Sequence, residues 1–178
     1  MHPTVPTRIQ RSLLVVLLAA LIAALPAATA LAANPATTFT FHNQVDTFVD
    51  VLPCTDIPYQ ITTTSNGVMH FQLRTLPDGT VVAQFTFTQT GTFTAVPVSG
   101  VGPTYTGTFT TWDGGMAFNP VISDEGEILS ADKWVDTMTF TVRGTGSDGS
   151  SLFEHATGHI NVNPLGNTNA FFKDSCTR

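Results

Sequence analysis

The sequence predicts an all-β fold: an antiparallel meander of about eight or nine short strands that closes into a small barrel. Three observations carry this. Phenylalanine and threonine alternate with a period of two along much of the chain, Gly- and Pro-containing turn signals punctuate the runs, and one cysteine lies near each end of the patterned region. A two-sheet sandwich is the alternative way for such a meander to bury its apolar face.

The runs from Thr37 to His42 and from Val45 to Val51 alternate as strands do. After Cys54, the run from Tyr59 to Thr64 leads into Ser65-Asn66-Gly67, where Asn-Gly is suited to the positive φ angles of a hairpin turn. Val68 to Thr75 then reaches Leu76-Pro77-Asp78-Gly79, in which Pro presets φ and Gly tolerates the left-handed region. Val81 to Thr94 reads as one long strand or a bent pair, with Phe85, Phe87 and Phe93 on the core side and Thr86, Thr88, Thr90, Thr92 and Thr94 toward water. Tyr105 to Thr110 repeats the pattern, and Asp113-Gly114-Gly115 reads as a turn. From Trp134 to Arg143, Met138, Phe140 and Val142 oppose Thr137, Thr139 and Thr141. Ser147-Asp148-Gly149-Ser150 is a further hairpin signal, and Leu152 to Asn163 and Asn169 to Lys173 complete the series. Asn119 to Lys133 has no strand pattern and reads as a loop with room for a short helical turn, a kind of segment that often carries function.

The N-terminus has the composition of an export signal. Arg8 and Arg11 precede an apolar run from Leu13 to Leu25, Pro26 breaks any helix, and the small-residue frames Ala28-Thr29-Ala30 and Ala30-Leu31-Ala32 both suit a signal peptidase. Residues 1–30 are thus expected to be a leader and 31–178 a single all-β domain with a short flexible start. An uncleaved anchor is the competing reading, since Leu13 to Ala33 nearly reaches bilayer length, but Pro26, Thr29 and the alanine-rich second half oppose it. No cysteine near the cleavage region offers a lipid attachment point. Of the seven Lys and Arg, five (Arg74, Lys133, Arg143, Lys173 and Arg178) remain after processing against 13 Asp and Glu, a formal charge of 5 − 13 = −8. Such a balance disfavours nucleic acid and anionic lipid as partners. No membrane span is expected after processing.

Cys54 and Cys176 are the only cysteines, and in an oxidising exterior an even count of two reads as one disulfide enclosing nearly the whole domain. The phrases Thr47-Phe48-Val49-Asp50-Val51-Leu52-Pro53-Cys54, Thr88-Gln89-Thr90-Gly91-Thr92-Phe93, Gly144-Thr145-Gly146-Ser147-Asp148-Gly149-Ser150 and Phe171-Phe172-Lys173 ahead of Cys176 resemble a group of secreted proteins of high-GC Gram-positive bacteria described only as hypothetical. The resemblance implies export and the cysteine pair, and no activity.

Chemistry-bearing residues are few. His155 and His159, spaced His-x3-His, would share a metal ion on a helix; on a strand they lie about 13 Å apart, and only a bulge at Gly158 would bring them together. Asp136 falls in the phase of Trp134, Met138 and Phe140, which points it inward or, more simply, to a solvent-side rim of the barrel, while Glu154 and His155 point to opposite faces. His70 is in the outward phase. Trp112, Trp134, Tyr59 and Tyr105 suit a ligand cavity or, more simply, the core. Asp124, Glu125, Glu127 and Asp132 form an acidic cluster without the ligand spacing of a calcium loop. No Gly-x-Ser-x-Gly, free thiol or phosphate-cradling glycine loop is present, so no catalytic residue, metal ligand or cofactor is assigned. A secreted, non-enzymatic barrel that binds a small apolar ligand or plays a structural part is the leading expectation. Its rivals are an isomerase- or cyclase-like enzyme using an interior carboxylate or histidine, and an envelope-surface interaction protein with a solid core. Intact mass of the exported chain checks the processing: it should begin at Leu31 or Ala33, and retention of Met1 to Ala30 would overturn the leader assignment.

Overall fold

The computed structural model describes residues 36–52, 54–123 and 128–177, and in them the chain is all β. The strands are β1 (Thr37–Val51), β2 (Pro58–Thr75), β3 (Val81–Pro97), β4 (Tyr105–Phe118), β5 (Val121–Ile122), β6 (Ile128–Ser130), β7 (Lys133–Gly146), β8 (Ser151–Val162) and β9 (Thr168–Thr177). Seven of them form one antiparallel sheet in the order β1-β2-β3-β4-β7-β8-β9, and β5 pairs only with β6. The stretch from Asn119 to Lys133 is therefore partly a small hairpin and contains no helical turn among its described residues. The leader, with both cleavage frames, and Asp124, Glu125 and Glu127 lie outside the described residues.

The alternation of the sequence is the alternation of the sheet. Phe85, Phe87, Phe93 and Ala95 are buried on one face of β3, while Thr88, Thr90, Thr92 and Thr94 are exposed on the other. Two expected turns are instead continuous strand. Ser65-Asn66-Gly67 lies inside β2, where Gly67 faces Phe41 across the ladder. A Cβ at Gly67 would collide with the Phe41 ring, so this glycine serves close packing rather than a turn. Asp113-Gly114-Gly115 lies inside β4, and there the Phe85 ring occupies the space above Gly115, 2.9 Å from where a Cβ would stand. The expected turns at Gly79 and Gly149 do form, with φ of 86° and 83°. In each, an aspartate accepts from the backbone two residues on, Asp78 from Thr80 and Asp148 from Ser150, both at 3.0 Å.

β1 carries the one irregularity in the seven-stranded ladder. Phe41 pairs with Gly67 and Gln44 with Ser65, so β1 holds one extra residue there, and Asn43 adopts φ 52°. This shift of phase turns Phe39 and Phe41 inward on one side of the bulge and Asp46 and Phe48 inward on the other.

The two ends of the inner face differ. At one end Leu52, Tyr59, Ile61, Phe93, Ala95, Tyr105, Phe109, Val142 and Leu152 form a closed core, with Tyr59 edge-on to Tyr105 at 6.0 Å. At the other, Ala83, Phe85, Phe87 and Ala117 on the middle strands are buried, whereas Met69, Phe71, Leu73, Trp134 and Met138 stay half-buried and Ile160 and Phe172 are 44% and 45% exposed. The Cys54–Cys176 disulfide joins the turn after β1 to the end of β9 at the first end, with a Cα–Cα distance of 5.8 Å. No ladder pairs β1 with β9 among the described residues. The bond closes a separation of 122 residues, for which loop-closure entropy gives about 4–5 kcal/mol and practice about 2–4. The double variant Cys54→Ser/Cys176→Ser should accordingly lose about 2–4 kcal/mol in denaturant unfolding, and reductant should destabilise the native chain but not the variant. Equal stability of the two proteins would show that the edges are held without the bond.

Candidate functional site

The inner face carries polar side chains where an apolar core would be expected. On β4, Tyr105, Phe109, Asp113 and Ala117 share the inward phase and all are buried, so Asp113 (4% exposed) sits in the interior rather than in a turn. Its cross-strand partner on β7 is Met138, and Asp136 is paired with Gly115, which places the two carboxyls diagonally on the same face. Burial, then the hydrogen bond and charge of Asp136, push Asp113 up to about 8. Oδ1 of Asp113 and Oδ1 of Asp136 are buried and receive no donor from the described chain. Raised this far, the Asp113 carboxyl holds its proton at neutral pH.

Gln89 on β3 is 2% exposed, and its Nε2 donates to Ser65 Oγ at 2.9 Å while Oε1 has no donor. Its partner on β4 is Thr111, whose Oγ1 is likewise buried and unpaired. A polar strip therefore crosses the inner face through Ser65, Gln89, Thr111, Asp113 and Asp136. A second carboxyl pair lies on β8 and β9. Glu154 (8% exposed) faces Cys176 across the ladder and Asp174 diagonally; burial first, then the charge and hydrogen bond of Asp174, raise it to about 7. Asp50, on the inner face of β1, is also raised, chiefly by burial.

The other expected site residues divide by face. Trp134 is inside, tilted against Phe85 at 6.4 Å, and Tyr59 is fully buried in the closed core. Trp112 is 41% exposed on the outer face of β4, so it lines no interior site. All three strand histidines named as candidates also face outward, each bonded through Nδ1 to a cross-strand threonine: His70 to Thr38 and His159 to Thr137 at 2.8 Å, His155 to Thr141 at 2.9 Å. His159 also stacks on Phe171, with ring centroids 5.6 Å apart. The β7–β8 and β8–β9 ladders run through Gly158 without a register shift, so His155 and His159 stay four strand residues apart and share no ion. Among the described residues no group of three or more His, Cys, Asp or Glu is placed to hold a metal. Asp132 is exposed and accepts from Asn119 Nδ2 at 2.8 Å.

Asp113, Gln89 and Asp174 are the site residues that motif and turn signals hid. The signal for Asp113 was present: the inward phase of Tyr105 and Phe109 reaches it unbroken if the following glycines continue the strand. No protein-family model matches the chain, and neither does any curated protein or solved structure.

The raised carboxyls fix the sign of the pH dependence. Asp113 and Glu154 hold protons in the fold that the unfolded chain releases near pH 4, so between there and about 8 and 7 respectively the folded state binds more protons. Stability contributed by these groups is therefore lost as pH rises. The melting temperature should fall by about 5 °C or more from pH 5 to pH 8.5, and Asp113→Asn should flatten most of that fall. A melting temperature that is level or rises over this window would refute the raised, buried carboxyls of Asp113 and Glu154.

Proposed function

We propose that the protein is an exported binding module whose seven long strands close into a barrel and whose half-filled end takes a small, mainly apolar molecule. The observation that carries this is the polar strip with unsatisfied buried oxygens, set beside apolar inner-face residues that remain half-buried. A solid structural core has no use for such atoms, each of which costs roughly 1–3 kcal/mol when left unpaired.

The register supports closure. Following cross-strand partners from Cys176 leads through Glu154, Val142, Phe109, Gly91 and Ser65 to Gln44 on β1. The disulfide instead joins Cys176 to Cys54, ten positions farther along (54 − 44). A stagger of this kind is what a closed, tilted sheet requires: ten residues over seven strands correspond to a tilt of about 45° at ~3.3 Å per residue and ~4.8 Å between strands. On that tilt, Gln44, Ser65, Gln89, Asp113 and Asp136 advance along their strands at about the rate that keeps them at one height in the barrel. The disulfide, the leader-like N-terminus and the resemblance to secreted proteins of high-GC Gram-positive bacteria support export. Among the described residues no helix is long and apolar enough to cross a membrane.

The chain's two tryptophans make the test direct, since Trp134 is inside and Trp112 outside. In the Trp112→Phe variant, a series of straight-chain alcohols from butanol to octanol should shift Trp134 emission saturably, each added methylene tightening binding about fourfold. No saturable response to any member would overturn the reading. The buried Asp113, raised to about 8 beside Asp136 on the same face, favours a second reading, acid–base isomerisation of the occupant. Under that reading, an occupant recovered from the native protein and added back would be converted to an isomer by the wild type and not by Asp113→Asn; recovery unchanged from both would exclude it.

A further inference from the structure

The charges of the seven-stranded sheet are sorted by face. Asp46, Asp50, Asp113, Asp136, Glu154 and Asp174, which are all the acidic residues on its strands, lie in the inward phase. Arg74, Lys133, Arg143 and Lys173, which are all the lysines and arginines on the same strands, lie in the outward phase. Lys133 covers the ring of Phe118 at 5.2 Å and Arg143 that of Phe153 at 5.3 Å, so these cations are engaged on the outer surface. His70, His155 and His159 are outward as well. No base of these strands reaches the inward carboxyls; Asp50, Asp113 and Glu154 among them are buried, and a buried acid without a counter-charge is costly unless something supplies donors.

Three of the buried atoms on the polar strip can only accept: Asp113 Oδ1 and Asp136 Oδ1 when ionised, and Gln89 Oε1 always. Gln89 and Asp113 are both more than nine-tenths buried, on adjacent strands and the same face. What this strip lacks is a compact group with several N–H donors and one positive charge. The half-buried Trp134 and Met138 beside it suit an alkyl or aromatic body rather than a hydrated ion.

We propose that the interior binds a protonated amine, its ammonium group received by Asp113, Asp136 and the Gln89 carbonyl and its apolar body lying against Trp134 and Met138. The inference rests on the interior-binding reading above and narrows its ligand to one charge class. A metal ion is the less suitable cation, because no three carboxylate or imidazole groups converge among the described residues.

Hexylamine, hexanol and hexanoate share one tail and differ in charge, and Trp134 emission in the Trp112→Phe background reports all three. Hexylammonium should bind about tenfold or more tighter than hexanol, and hexanoate more weakly than either. Adding Asp113→Asn and Asp136→Asn, with circular dichroism to verify the fold, should bring hexylamine binding down to that of hexanol in the same variant, removing the amine's advantage. Equal affinity for hexylamine and hexanol would overturn the amine assignment and leave interior binding standing. Loss of both alcohol and amine binding in a folded double variant would also overturn it, by making the carboxyls structural. Calcium chloride that displaces hexylamine and reproduces its emission change would make the site a metal site instead. Silence from every probe would overturn both readings.

Discussion

A seven-stranded meander has two edges, and everything inside it depends on how those edges are managed. Exposed edges offer unpaired backbone groups to any neighbouring chain and leave the inner face open along a seam. Here β1 and β9 run in the same direction, and one covalent bond ties the turn after the first to the end of the second. Cys54 Sγ lies 3.8 Å from the carbonyl oxygens of Phe153 and Thr177, so the link seats the turn against the last two strands. The closed core gathers at this end, where Leu52 follows β1 and Leu152 opens β8. β9, exposed along its described length, has little apolar burial of its own to hold it. A covalent clamp is well placed on such a strand.

The interior is a compromise between packing and polarity. Rings of Phe41 and Phe85 lie over glycines of the neighbouring strand, which frees depth inside a narrow sheet without breaking its ladders. Carboxyls occupy part of that depth. Asp113 and Glu154 are tolerable there because burial and a neighbouring carboxyl raise them to about 8 and about 7, which keeps their charge low. The outer face has the opposite character: threonines, histidines bonded to threonines, and the strand-borne bases. The sheet thus separates chemistries as well as burial.

Much of this was legible in the sequence and some of it was not, for identifiable reasons. Period-two alternation revealed the strand character and put Asp136 in one phase with Trp134, Met138 and Phe140, because side chains on a pleated strand have no other option. Asn66-Gly67 and Asp113-Gly114-Gly115 misled, because turn propensity is local while the reason for these glycines is a ring on another strand. The misreading of the second carried Asp113 away with it. The Asn43 bulge had no local signature, and it is what lets both Phe41 and Asp46 face inward. Trp112 shows the limit of residue type as a guide: it is a large aromatic, yet its phase on β4 puts it outside.

The direction of β1 has a consequence for how the molecule is attached to anything. Thr37 starts the strand in the same cross-strand row as Phe71, Phe85, Gly115 and Asp136, and Cys54 follows its far end. The polypeptide therefore enters the sheet at the end away from the disulfide and finishes at the clamped one. A tether, tag or fusion partner placed ahead of Thr37 leaves from the end opposite the disulfide, whereas one placed after Thr177 leaves beside the bond and keeps that opposite end clear.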